Sequence, residues 1–274
     1  MVKAIARILV AITVIVVVLG AIMFFGNPVS KYLVTKNAGI YLEENYPDTD
    51  YEIESVNYDF KTSNYYVHIQ SPSSGDSHFT LYAGTNGKIG HDTYESSVVE
   101  KWNTAERIND EYRSAVKTLL EDEDFPYNQH IGFADIEFAD SDALAEGIVP
   151  DYAIKNENLE LDGVYDIYEM GKKAGHLTVY IYDDDVSAER LSEILLGIRR
   201  LFDEKNISFY IIDCILEYPR PENDGPWKEG RVEVMSFLYN DIYEEGLLKR
   251  VEESDKKAKE YYEEQDAIKI QEMT

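Results

Sequence analysis

The sequence predicts an α+β protein: an N-terminal transmembrane helix, two small α+β domains with antiparallel sheets, and a C-terminal helix. Three observations carry this. From Ile8 to Phe25 no residue is charged, and nearly all are Ile, Val, Leu, Ala or Phe. Downstream, short runs of alternating apolar and polar residues are separated by turn residues, the pattern of half-buried strands. These runs are grouped between helical stretches rather than alternating with them one by one, which is the α+β order.

The first element is the anchor. Its uncharged stretch continues through Ser30 and stops at Lys31, and a bilayer core needs ~20 apolar residues as helix. A cleaved signal peptide would have a shorter apolar region and a small-x-small site. Here Gly20-Ala-Ile-Met-Phe-Phe-Gly-Asn-Pro28 puts bulky residues at that place. Lys3 and Arg7 precede the run, so the positive-inside rule puts the N-terminus in the cytoplasm and the bulk of the chain outside, as a single-pass cell-membrane protein.

Asn27-Pro28 breaks this helix, and Val29–Asn45 follows as a second, with Tyr32, Leu33, Ala38, Tyr41 and Leu42 along one face. Four strands come next, Tyr51–Phe60, Tyr65–Gln70, His78–Ala83 and Lys88–Tyr94, and Val67, Ile69, Phe79 and Leu81 alternate with polar neighbours. Ser96–Glu121 is a helix that closes a first α+β domain over residues 31–122. The second domain, 123–240, has a strand at His130–Phe138 and a hairpin of Asn158–Tyr168 with Leu177–Asp183. It continues with a helix at Ser187–Glu204 and strands at Ile207–Tyr218 and Arg231–Leu238, around the loop Pro219–Gly230. Asp241–Asp266 is a charged terminal helix within residues 241–274, with Glu245→Lys249, Glu252→Lys256 and Glu253→Lys257 as i,i+4 pairs. Leu247, Leu248 and Val251 dock its first half, and the half beyond Glu252 is expected in solvent.

Composition narrows the function. Against 26 Lys+Arg stand 53 Asp+Glu, a formal charge of −27 over 274 residues. Such a chain repels phosphate backbones, so nucleic acid is not an expected partner. The single cysteine, Cys214, excludes an intrachain disulfide and a zinc site built on cysteines, and its apolar run makes it a small buried hydrophobe.

The segments Tyr41-Leu-Glu-Glu-Asn-Tyr-Pro47, Asn64-Tyr-Tyr-Val-His-Ile-Gln-Ser-Pro72 and Asp92-Thr-Tyr94 resemble the N-terminal part of the YfjL-like family. The run from Asp166-Ile-Tyr168 through Cys214-Ile-Leu-Glu-Tyr-Pro219 resembles the C-terminal domain paired with it. The resemblance spans most of residues 28–240. It implies an envelope protein of Gram-positive bacteria with a single anchor, and it assigns no catalytic residue. The meander packed on a helix is also loosely similar to PepSY-like and cystatin-like modules, which bind or inhibit; that step is fold analogy.

Asn158, Glu160, Asp162 and Glu169, with Gly163, fall at the positions of a calcium-binding EF-hand loop. Against calcium, position one is Asn, position three is the longer Glu, and the flanks alternate as strands do. Asp162-Gly163 is therefore expected to be a tight turn, with calcium the lesser reading. Residues 120–166 hold fourteen Asp/Glu and one Lys; the expectation is a solvated acidic face, with cation collection as the alternative. Asp183-Asp184-Asp185 reads as negative charge and a cap before a helix. The segment Ser71–His78 lacks a nucleophile elbow and reads as a hairpin loop. No H-x-x-x-H pair occurs among the five histidines; His68, His78 and His91 share one sheet face only if the strand registers allow. The twenty-two tyrosines serve the strands, or a carbohydrate- or peptide-binding surface. With no catalytic constellation, the expected function is non-enzymatic binding or modulation of an envelope protein or cell-wall partner. The alternatives are an anchored hydrolase working through carboxylates and a calcium-dependent structural module.

Overall fold

The computed structural model describes residues 2–221 and 228–272. Its elements have the expected α+β character, and contacts divide the chain into two compact units, Met1–Thr104 with Leu159–Gly163, and Ala105–Asn158 with Val164–Thr274. Part of the expected Pro219–Gly230 loop lies outside the described residues.

The first unit begins with α1 (Val2–Phe25); among the described residues, the helical stretch Ile12–Asn45, which takes in the second half of α1, holds a run long and apolar enough to cross a membrane, at a mean hydropathy of 2.3. Gly26 turns the chain at φ +78°, and Asn27 caps α2 (Pro28–Asn45) by accepting the Val29 N–H at 2.9 Å. The buried stripe of α2 is Ser30, Val34, Ala38 and Leu42, one residue in four. Tyr32 and Leu33, expected on that stripe, are exposed; they precede Val34 by two and one positions, which turns them about 200° and 100° away from it around the helix.

Strands β1 (Glu52–Asp59), β2 (Asn64–Ser71), β3 (Ser74–Gly84) and β4 (Ile89–Asp92) form an antiparallel meander in chain order. Val56, Tyr65, Val67, Ile69, Phe79, Leu81 and Ala83 meet the α2 stripe and Val98 in one core. At one margin of this core, the Asp92 carboxylate accepts the hydroxyls of Tyr41 at 2.5 Å and Tyr46 at 3.0 Å. Burial pushes the Tyr41 phenol up to about 12. The expected helix Ser96–Glu121 is broken. A π turn at Glu95–Val99 ends where Lys101 takes φ +60°, and α3 (Trp102–Leu120) starts afresh.

In the second unit, β5 (Asn128–Ile136) is followed by β6 (Phe138–Ala139), α4 (Ser141–Ala145) and β7 (Ile154–Lys155), with β6 and β7 paired in parallel. The expected hairpin is absent: Asn158–Tyr168 contains no strand. Asp166 instead caps α5 (Ile167–Ala174), its carboxylate accepting the N–H groups of Tyr168 at 2.9 Å and Glu169 at 3.4 Å. That local cap competes with extension and wins. The antiparallel partner of β8 (Gly175–Tyr182) is β5, with Phe133 opposite Thr178. Of the expected stripe of helix α6 (Ala188–Glu204), Leu191, Ile194, Leu195 and Ile198 are buried and Leu201 is half-buried beside the buried Phe202, and Ser187 caps the helix by accepting the Arg190 N–H at 3.2 Å. It crosses over from β8 to β9 (Ile211–Glu217), which run parallel, and β10 (Arg231–Leu238) completes the order β10-β9-β8-β5.

Helix α7 (Leu247–Glu272) begins later than expected, so Glu245 lies outside it. Its ion pairs are Lys249–Glu253, Lys256–Glu260 and Asp255–Lys259 rather than the expected three. Leu247 and Val251 are buried as expected, whereas Leu248 is exposed. Docking extends past Glu252. Ala258 is buried, the Asp255 carboxylate accepts the Glu233 N–H at 3.1 Å, and the Ser254 hydroxyl accepts the Met235 N–H at 3.4 Å. Side chains of α7 thus occupy donors on the edge strand β10, one way a fold covers an open sheet edge.

Candidate functional site

The first sheet has one side on the core and one side without it. His68 stands opposite Thr80, Gln70 opposite His78, and Tyr82 opposite His91. Side chains alternate along a strand, so Tyr66, His68 and Gln70 share a face with His78, Thr80 and Tyr82, and His91 joins them. The registers therefore bring all three of these histidines onto the face away from the core. His68 Nδ1 is 3.3 Å from the Thr80 hydroxyl, the Tyr66 ring meets Tyr82 edge-on at 5.1 Å, and His91 stacks on Tyr82 at 4.4 Å. A groove of about 480 Å³ opens beside them, lined by Glu54, His68, Gln70, Ser74, His78 and Thr80. It offers imidazole, amide, hydroxyl and carboxylate groups, while the rings of Tyr66, Tyr82 and His91 lie on the same face outside its lining. This suits hydrogen bonding and stacking with a polar ligand.

The second sheet holds a tighter cluster. His176, the second residue of β8, lies between two carboxylates: Nε2 is 2.9 Å from Asp213 and Nδ1 is 3.4 Å from Glu137. The hydrogen bond to Asp213, then that to Glu137, raise the imidazole to about 9 against the cost of burial. Asp213 also accepts the Ser236 N–H at 2.6 Å, at a bulge where Ser236 takes φ +48°. At neutral pH the ring is an imidazolium donating from both nitrogens, so no lone pair is left for general-base work. His130 contrasts with it. It stacks on Tyr182 at 3.7 Å, and burial holds its imidazole below the usual value although Glu217 lies 3.2 Å away. Burial pushes the Cys214 thiol up to about 12, which makes it inert.

Asn158 closes a short 3-10 turn, and Glu169 sits in the first turn of α5. Asp162, at φ +57°, forms a reciprocal pair with Asp76: each backbone N–H donates to the other's carboxylate at 2.9 Å. The expected turn is present, closed by the Gly163 N–H on Glu160 O at 2.9 Å, but it joins no hairpin. Among the described residues, no group of three or more His, Cys, Asp or Glu side chains is placed to hold a metal ion. Asp183 accepts the Asp185 N–H at 3.0 Å and pairs with Arg190 at 2.9 Å, while the cap of α6 is Ser187. Sequence reasoning passed over Glu137 and Asp213. Asp213 does interrupt an apolar run, which is a signal of a committed polar group, but its partner His176 lies 37 positions away.

These features define an α+β protein of two compact units with, among the described residues, one membrane-length helix near its N-terminus. The chain belongs to the YfjL-like family: residues 1–93 match the YfjL-like, N-terminal domain, and residues 111–252 match the YfjL-like C-terminal domain. No curated protein matches the chain, and no solved structure does.

Proposed function

We propose that the protein is a single-pass, membrane-anchored binding module of the cell envelope. Its N-terminus is cytoplasmic, its bulk is extracytoplasmic, and it works without catalysis. The cations Lys3 and Arg7, ahead of the uncharged run of α1, support the orientation. The observation that carries the binding role is the His68–His78–His91 face with its groove. It is polar, partly exposed, and built on a rigid sheet whose other side is core. The chemistry fits a polar ligand or partner of the envelope, met through hydrogen bonds and ring stacking. The saturated imidazolium of His176 supports a structural role for the second sheet's polar cluster.

The test uses the full chain tagged at both ends in intact cells. Added protease should remove the C-terminal tag and spare the N-terminal one; protection of both tags overturns the orientation. A photo-crosslinking residue at His78 should then give a discrete adduct that one at Lys256, on the exposed side of α7, does not. Equal labelling from both positions overturns the binding face.

A further inference from the structure

We propose that the β1–β2 turn is a second membrane contact, in which Phe60, beside Phe24 and Phe25, seats the first unit on the lipid interface. This rests on the reading of α1 as a membrane span.

The exit of α1 has no loose linker. A Cβ on Gly26 would stand 2.5 Å from the Tyr65 hydroxyl and 2.8 Å from Tyr58 Cγ, so the backbone is pressed against the sheet at a residue that only glycine fits. The buried Tyr65 hydroxyl accepts the Asn27 N–H at 3.0 Å and donates to the Asn27 carbonyl at 3.1 Å. Two strands of the meander therefore hold the two residues that leave the helix, and the position of the sheet follows from that of the helix end.

This clamp sets a depth. The Phe24 and Phe60 rings are 5.5 Å apart. Phe24 lies inside the uncharged stretch that runs to Ser30, two residues before the clamp, or roughly 3 Å along the helix axis. Whatever layer of the bilayer Phe24 occupies, the tip of the β1–β2 turn reaches it. The turn is built to project that ring. Asp59 accepts the Lys61 N–H at 3.0 Å and the Thr62 hydroxyl at 2.8 Å, and Ser63 takes φ +56°. Phe60 is left 52% exposed, next to Phe24 at 61% and Phe25 at 82%. A projecting Phe beside an apolar helix end is misplaced in water and well placed among headgroups and upper acyl chains, where aromatic rings gather. Phe60 itself is flanked by one acid, Asp59, whose carboxylate is taken up inside the turn, and one cation, Lys61.

The test places an environment-sensitive fluorophore on single-cysteine additions to the full chain: Phe60→Cys, Ile12→Cys in the anchor, and Ser73→Cys in the β2–β3 turn at the far end of the meander. The native Cys214 is buried and does not label. Each protein is reconstituted in vesicles of phosphatidylcholine and phosphatidylglycerol, then quenched by brominated lipid or by aqueous iodide. The seat requires position 60 to respond to brominated lipid, as position 12 does, with position 73 responding to iodide alone. Iodide quenching at position 60 with lipid quenching kept at position 12 overturns the seat and leaves the anchor standing. Shielding of position 60 from both quenchers assigns the turn to a protein contact and also overturns the seat. Loss of lipid quenching at position 12 overturns the anchor and the seat together.

Discussion

The two four-stranded sheets use their histidines in opposite ways. On the first, His68 and His91 touch a hydroxyl and a phenol ring, and His78 lines an open groove. On the second, His176 is held between Asp213 and Glu137, and His130 is stacked on Tyr182. An imidazole that has already spent both nitrogens on carboxylates stabilises its own sheet. One that faces an open groove, with hydroxyls, an amide and the single carboxylate of Glu54 around it, keeps donors and acceptors for something else. The proposed reading gives a structural role to the second cluster and recognition to the first, and each half of it can be broken separately.

The largest effects should come from the cores, which the two sheets share as a principle. Leu81→Ala in the first unit and Leu195→Ala in the second remove fully buried side chains. Each should cost ~2–5 kcal/mol in chemical denaturation. A cost below ~1 kcal/mol at either site would mean that its sheet is not packed as described.

The His176 clamp should show next, in pH dependence. The folded imidazole titrates at about 9, above the ordinary value of about 6.5. The clamp's stabilisation is therefore complete below about pH 6.5 and lost as pH rises through 9, a total of at most about 3 kcal/mol for a partly exposed ring. Melting temperature should fall across that window, and His176→Gln should flatten the fall. An unchanged slope in the variant removes the clamp from the account.

The acid Glu233 gives a second pH-dependent test in the same unit, with the same sign as His176 but from burial of an acid rather than from a paired base. It is 1% exposed beneath α7, and both carboxylate oxygens lack a hydrogen bond among the described residues, although Arg231 lies 3.1 Å away. Burial raises its pKa, so docking is favoured at low pH and weakened as pH rises through the folded value. Glu233→Gln should raise the melting temperature at neutral pH, and a lowered one would show that the ion pair with Arg231 outweighs desolvation.

Smaller again is Asp162→Ala, which removes one half of the reciprocal pair with Asp76 and should cost ~1–3 kcal/mol by leaving a buried N–H without its acceptor. His78→Ala on the open face should stay within ~0.5 kcal/mol, sharpening the contrast with His176. Millimolar calcium should leave the melting temperature where EDTA leaves it, since Asn158, Glu160, Asp162 and Glu169 form no cluster; a clear upward shift would reverse that.

Much of this was legible in local pattern. The uncharged run of α1, the stripe of α6, the bounds of β10 and the alternation of β2 and β3 each follow from residues a few positions apart. The failures have a common cause. Asn158–Tyr168 alternates like a strand, but Asp166 caps a helix there, and a cap outweighs a weak extended pattern when no neighbouring strand is available to pair. Lys101 breaks a helix that the apolar spacing carried straight through.

The sequence by itself determined that this chain has one membrane-length helix, a strongly acidic remainder and an α+β order of elements. Those properties are sums over residues or periodicities within one segment. Only the tertiary structure decided that three histidines share a face, that His176 meets two acids, and that Tyr65 grips the end of α1. Each of these depends on strand register or on partners tens of residues apart. A shift of one residue in pairing would turn every side chain of that strand to the other side.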